Sequence, residues 1–370
     1  MLEAVPTMPA PAPSLIKRLE QLGKRLLAWV AIGLFMRPGR ARRLSAALAA
    51  PRSVLLVRLD NRVGEALLTT PLFTTLKALS PAPRVELLTH PKMQSVLEGH
   101  SALDAIHTID RRGAWAGIFS PVLRKLRAAR FDLVVNCANW STPSVTSALV
   151  ARLAAGRSAL IGPATSPIDR LQDLSIESLH GTSSEVMQRL HLLSPVHGIV
   201  LQPRLSFRAP RVGAQVEALL QDLKTKAFAV VNPGGRLGWR RVPPWVFSAA
   251  VRILNGLEVL PLLTWGPGEE GLVQEIARSN PGSTVAPATT IDELAGLMKE
   301  ARVTVCNNTG PMHLSVAVGC PTLALFLHMD LERWGYSKAP HAMLDLTPLI
   351  SNPGAVKARL QASLPALLGR

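Results

Sequence analysis

Aromatic residues make up only 4% of this chain, with one tyrosine in 370 residues. That leaves little for stacking nucleobases, and no zinc-finger or RNA-recognition signature occurs, so nucleic acid is not an expected partner. Cysteine is equally sparse. Cys137, Cys306 and Cys320 stand in or beside apolar runs without metal-ligand spacing, which reads as reduced core thiols of a cytosolic protein and not as a metal site. Acidic side chains are outnumbered, 25 against 41 Lys and Arg, for a formal charge of +16 and a pI near 10.9. An excess of this size favours anionic partners: acidic membrane or phosphorylated substrates. The apolar run Leu26 to Met36 falls short of the roughly 20 residues that span a bilayer. Phosphate-loop (GxxxxGK[ST]) and dinucleotide (GxGxxG) fingerprints are missing from the polar loops, which argues against a kinase or a dehydrogenase.

What is present is apolar and periodic. Hydrophobic residues reach 48%, enough for sizeable cores, and the length suits two domains. Met1 to Pro13 is rich in Pro and Ala and reads as a disordered leader. Lys17, Arg18, Lys24 and Arg25 then precede the apolar run, and Arg37, Arg40, Arg42 and Arg43 close it. The pattern fits a basic amphipathic helix on an anionic membrane face, although such a stripe also suits a helix packed on the body of the protein. From Ser53, short apolar runs (SVLLVR, RVELLTH, DAIHTI, FDLVVN) alternate with helical stretches, including ALLTTPLFTTLKALS as one helix. LQPRLSFRAPRVG carries two prolines and no helical period, which marks a junction. FAVVNP, EVLPLLTW and CPTLALF repeat the scheme beyond it. The expected class is α/β with parallel sheets in two Rossmann-like domains, divided as 1–50 (leader and basic helix), 51–205 and 206–370. AVKARLQASLPALL reads as a terminal helix returning to the first domain.

The chemistry gathers in polar loops after strands. One is LDNRVGE, residues 59–65; a second, NPGGRLGWRR, covers 232–241; WGPGEE (265–270) and NNTGPMH (307–313) are the others. Glycines let a ligand approach the backbone, arginines fit phosphate oxygens, and the free N–H groups of a helix opening at Thr309-Gly310-Pro311 favour a phosphate.

Together these loops resemble the family of lipopolysaccharide heptosyltransferases, glycosyltransferase family 9, over about residues 53 to 340. VLLVRLDNRVGEALLTTPLFTTLK is similar to its opening strand, turn and helix; VVNPGGRLGWRRVPPWVF to its Pro-Gly loop and basic pair; LTWGPGEE to its Gly-rich turn; and NNTGPMHLSVAVGCPTLALF to its most recognisable segment. The resemblance implies a GT-B fold, two facing Rossmann-like domains with the acceptor on the first and a nucleotide-sugar donor on the second. It implies inverting transfer of a sugar, a heptose from ADP-heptose, to an anionic lipid-linked glycan of lipopolysaccharide-core type. The work would be done peripherally on the cytoplasmic face of the bacterial inner membrane, with no metal or cofactor. Glu65 stands where the family has its general base. Asp60, Asn61, Arg62 and Gly64 fall on the acceptor side. Asn232, Gly234, Gly235, Arg236, Arg240, Glu269, Asn308, Thr309, Gly310, Pro311 and His313 fall on the donor side, with Arg240 in the place of a diphosphate-binding Lys and Glu269 near the ribose.

Two residues depart from the family pattern, Glu65 and Asn308, where Asp is usual. The longer Glu65 moves its charge by one methylene, and misplacement by about an ångström costs on the order of 10²-fold in rate. Glu65 and Glu269 also suit helix starts with no catalytic role. His313 suits a packed polar position, and the arginines of 236–241 suit a solvated cluster. Arg111, Arg112, Arg124, Lys125, Arg127 and Arg130 fit either a solvated helix face or an anionic glycan. The alternatives are therefore a transferase of the same fold using another nucleotide-sugar, or a non-catalytic glycan- or nucleotide-binding protein.

Overall fold

The computed structural model describes Gly23 and residues 40–369 other than 180–183 and 337. The expected membrane helix around 15–36, Gly23 apart, lies outside the described residues. Twelve strands among them form two parallel sheets of six. The first comprises β1 (Ser53–Arg58), β2 (Arg84–Thr89), β3 (Ala105–Thr108), β4 (Leu133–Asn136), β5 (Ala159–Pro163) and β6 (Leu174–Ile176), in the order β3-β2-β1-β4-β5-β6. The second comprises β7 (Phe228–Asn232), β8 (Leu260–Leu263), β9 (Thr284–Val285), β10 (Val303–Asn307), β11 (Thr322–Phe326) and β12 (His341–Asp345), in the order β12-β11-β10-β7-β8-β9. Renumbered from its own first strand, the second sheet repeats the order of the first. That order reverses direction between β1 and β4, and again between β7 and β10. Such a switch point opens a crevice at the carboxyl ends of the strands.

The strands form because they are covered on both faces. Leu55, Leu56, Val57, Val134, Val230 and Val305 are fully buried, so the runs are continuously apolar and do not alternate. One apolar cluster runs unbroken from Leu56, Leu72 and Leu87 through Leu205 and Val216 to Val230 and Leu297, joining the halves. The proline-rich junction crosses over it in neither helix nor strand. It is pinned on both sides: Ser206 N–H donates to Thr70 Oγ1 at 3.1 Å, and Arg208 forms an ion pair with Asp292.

Three sequence expectations are revised. ALLTTPLFTTLKALS is two helices, Val63–Leu67 and Thr70–Lys77. Pro71 has no N–H to give to the Leu67 carbonyl one turn back, and Thr70 Oγ1 donates to that oxygen instead at 2.7 Å. The terminal helix, Pro353–Leu367, packs on the second half and not the first, with Val356, Leu360 and Leu364 in the second-half core beside Val246, Leu323 and Leu325. Residues 40–49, grouped with the leader on sequence, form a helix (Arg40–Ala49) with Ala47 buried against the first half. Among the described residues no helix is long and apolar enough to cross a membrane.

Leu360→Ala tests the terminal helix. Leu360 is fully buried, so its truncation should cost about 2–5 kcal/mol in denaturant unfolding. A loss under about 0.5 kcal/mol, the scale of a surface change, would show that the helix does not complete the second core.

Candidate active site between the facing strand ends

The loops after β1, β7 and β10 meet across the crevice. The short helix Val63–Leu67 touches the helix Gly310–Ala317, and the approach is close because Gly64 has no side chain. A Cβ there would lie 2.8 Å from Cδ2 of His313 and 3.6 Å from the Gly310 Cα. Two cavities open beside this contact. The larger, about 500 Å³, lies toward the second half under Gly234, Gly235, Arg236, Trp265 and Glu269. The smaller, about 300 Å³, lies toward the first half under Glu65, Asn139, Ser141, His313 and Trp334. Arg62, Gly64, Arg240, Asn308, Thr309 and Gly310 line both.

On the larger side the backbone is shaped by internal hydrogen bonds. Asn232, at the end of β7, is buried and donates to Thr264 Oγ1 at 3.1 Å, so its amide ties two strand ends. Both oxygens of Glu269 accept backbone N–H groups, from Gly235 at 2.7 Å and Gly266 at 3.0 Å. A Cβ on Gly234 would overlap that carboxylate, which is why glycine stands there. Arg241 donates to the Gly235 carbonyl and pairs with Glu269, so it holds the loop. Asn307 opens the loop singled out in the sequence but was not among the expected site residues. Its amide donates to the Pro233 and Gly234 carbonyls and accepts the Val242 N–H at 3.0 Å, fixing the loop after β7 to the loop after β10.

The remaining cations of this loop are differently placed. Among the described residues neither Arg236 nor Arg240 has a carboxylate partner. The Arg240 guanidinium lies over the Trp239 ring, 4.5 Å from its centroid, and its Nε is buried without a partner. Burial, then Arg236 and Arg62, lower its pKa. Crowded cations facing a cleft, beside a helix that opens at Gly310-Pro311 with no side-chain cap, have the chemistry to hold an anion.

The smaller side is built on a buried ion cluster. Glu65 is 7% exposed and accepts from Arg58 at 2.5 Å and from Arg189; Arg62 approaches its other oxygen at 3.4 Å. Burial would raise the Glu65 pKa, but Arg189 and Arg58 overcome it and hold it at about 2. Burial opposes the charge of Arg189, yet Glu65 and Glu185 outweigh it and raise that pKa. Glu185 in turn accepts from Arg333 of the second half at 3.0 Å, and Arg333 also donates to Ser141 Oγ at 3.2 Å. His313 Nδ1 pairs with the Tyr336 hydroxyl at 2.6 Å, and burial lowers the imidazole pKa to about 4, so it is neutral at neutral pH.

Most of the anticipated residues therefore converge. Asn232, Gly234, Gly235, Arg236, Glu269 and Pro311 line the larger cavity only, and His313 and Glu65 the smaller only. Asn61 lines the larger cavity and not the smaller. Asp60 lines neither, because Arg58 and Arg62 engage its carboxylate at 2.9 and 3.2 Å. Arg58 was visible in the sequence as a charged residue ending a buried run. Arg189 gave no such signal, since paired with Glu185 at i,i+4 it reads as an ordinary surface pair.

A family model described as glycosyltransferase family 9 (heptosyltransferase) matches residues 120–352, more than half of the chain. The chain belongs to this family and is a glycosyltransferase. Lipopolysaccharide heptosyltransferase 3 of Escherichia coli K12 is 27% identical to it over 286 residues, covering 73% of this chain and 81% of that one. Two solved structures share the fold. The glycosyl transferase family 9 structure from Veillonella parvula matches with a TM-score of 0.72 at 17% identity, over 87% of this chain and 98% of that one. Escherichia coli heptosyltransferase WaaC with ADP matches at 0.67 and 19%, over 84% and 99%. The two facing halves are thus the GT-B-like arrangement of this family.

The Glu65 cluster has a pH signature. A carboxyl whose folded pKa lies below its ordinary 4.5 adds stability that is complete above that value and is lost as the pH falls toward about 2. Glu65→Gln should be less stable than the parent at neutral pH in denaturant unfolding, and the gap should narrow as the pH falls through that window. A gap that does not change with pH would show that the arginines do not hold an ionised carboxylate.

Proposed function

We propose that this glycosyltransferase moves a heptose from ADP-heptose, with inversion at the anomeric carbon, onto a lipopolysaccharide core or related lipid-linked glycan. The place of work is the cytoplasmic face of the inner membrane. The observation that carries the reading is a pair of adjoining cavities that share Gly64 and Gly310 in their walls, with arginines that have no carboxylate partner among the described residues on one side and a carboxylate on the other. The family's own description, the relative that acts on lipopolysaccharide and the ADP of the structural neighbour support the substrates.

In this reading the diphosphate lies on Arg236, Arg240 and the open helix start, and the base rests against Ile291 and Leu294 at the far end of the larger cavity. The anomeric carbon comes to the bare backbone at Gly64 and Gly310. The acceptor hydroxyl enters through the smaller cavity and attacks opposite the departing diphosphate. The new C–O bond forms as the C–O bond to phosphate breaks, its electron pair leaving with ADP, whose added charge the arginines and helix N–H groups stabilise. Glu65 takes the hydroxyl proton. With a pKa near 2 it is a weak base, so the proton leaves late, once bonding to the anomeric carbon has made the hydroxyl acidic.

Two measurements test this. Arg240→Ala should weaken ADP binding several-fold or more in calorimetry while leaving the melting temperature in place; unchanged affinity would remove Arg240 from the site. Glu65→Gln should lower turnover by about 10²-fold or more with ADP affinity nearly unchanged. Turnover per folded molecule equal to the parent would leave Glu65 as an anchor for Arg58 and Arg189 only. Glu65→Asp adds the family's residue: activity at or above the parent would mean that either reach serves, and a large loss would mean that the cavity is fitted to the longer side chain.

A further inference from the structure

A further cavity among the described residues, about 820 Å³, lies away from the cleft between the halves. It lies at the opposite edge of the first sheet, where the strands begin. Arg52 directly precedes β1, Asp132 precedes β4 and Ser158 precedes β5, and the helix Arg40–Ala49 forms the remaining wall. Five arginines, Arg43, Arg52, Arg127, Arg130 and Arg157, open onto it and are exposed. Its one carboxylate that faces them, Asp132, is engaged by the N–H groups of Arg52 and Ser53 at 2.9 and 3.0 Å. Among the described residues none of the five arginines has a carboxylate partner.

We propose that this recess docks the protein on the phosphate headgroups of an anionic lipid bilayer. The macrodipole would explain some of the charge, because Arg127 and Arg130 stand at the end of helix Pro121–Ala129 and Arg157 just beyond Val145–Ala155. It does not explain Arg43 and Arg52, which come from another helix and a strand start and open on the same space. The recess is also shaped for its cations. A Cβ on Gly156 would sit 2.7 Å from Arg127 Cγ, so that glycine lets the arginine stem cross into the cavity. Arg130 holds φ of 51°, a left-handed cap usually given to glycine.

Two observations select a membrane over a free phosphate. The wall helix continues directly from the sequence that carries Lys24, Arg25, the apolar run Leu26 to Met36 and Arg37, a pattern suited to a bilayer face. The recess also lies a strand length from the cleft, about 20 Å for the six residues of β1. Docked there, the protein holds its cleft away from the lipid surface, at the height of a glycan projecting from it. The inference rests on the proposed work at a membrane and names the surface used.

The test is cosedimentation of the full chain with phosphatidylglycerol–phosphatidylethanolamine vesicles, with phosphatidylcholine vesicles as the neutral arm. The triple variant Arg52→Gln, Arg130→Gln, Arg157→Gln should bind the anionic vesicles about tenfold more weakly or worse, and neutral vesicles should bind neither protein. A control of equal charge, Lys299→Gln, Lys357→Gln, Arg359→Gln, should stay within about twofold of the parent. Transfer to a water-soluble acceptor should be unchanged in both. Equal loss in the two triples would reduce the effect to net charge and overturn the recess. Inhibition by inorganic phosphate beyond that of chloride at matched ionic strength would make it a free-anion site and overturn the lipid assignment. Binding by the recess triple equal to the parent overturns the recess and leaves the membrane reading standing; no binding by the parent overturns both. If the triple variant unfolds, the three single replacements carry the same comparison against the control singles.

Discussion

A chain of alternating charges, Arg58–Glu65–Arg189–Glu185–Arg333, buried as far as Glu185 and half-exposed at Arg333, holds the crevice walls and joins the halves. Ions out of water are tolerated only when each has its partner, and removing one leaves the next uncompensated. Arg58 and Arg189 are near neighbours of like charge, and Glu65 between them is what makes that proximity bearable. Asn139 Oδ1 completes the arrangement by accepting from both, at 3.0 and 3.3 Å. Two demands then meet in one carboxylate. Clamping lowers its basicity, while the same clamp fixes its position against the junction of the cavities. For the proposed transfer the second effect is worth several powers of ten, so a weak base in a fixed place suits the role proposed for Glu65.

The repeated strand order divides the labour. The first half presents the carboxylate, and the second presents unpaired cations and an open helix start. Each does so at its own switch point, where a doubly wound sheet leaves room for a ligand. Asn307 and Glu269 show how the second half keeps its loops in register. Their polar atoms are engaged by neighbouring backbone, whereas Arg236 and Arg240 have no carboxylate partner among the described residues.

Much of this was legible in the sequence, because continuous apolar runs ending in polar turns are what parallel strands covered on both faces look like. The loops after β1, β7 and β10 could be found for that reason. The short strands β6 and β9, three and two residues long, carry too little pattern to read. Pro71 was visible, yet the helix break it imposes was passed over because the apolar spacing continues through it. The partners of Glu65 were beyond reach in another way. Arg189 lies 124 residues further along the chain, and only the fold brings it to the carboxylate. Asp60 illustrates the converse: it sits in the right loop, but the neighbouring arginines take it.

The glycines at 64 and 310 give the meeting point of the cavities a particular mechanical character. The two halves touch there backbone to backbone, a Cβ on Gly310 falling only 3.8 Å from the Gly64 nitrogen. Side chains change rotamer in nanoseconds, whereas backbone anchored between a strand and a helix moves only with those elements. That contact therefore keeps its spacing while the cavities on either side, lined largely by side chains, adapt to what they hold. Under the proposed reaction, tolerance for new sugars or new acceptors would then arise in those cavities, without altering the backbone contact between them.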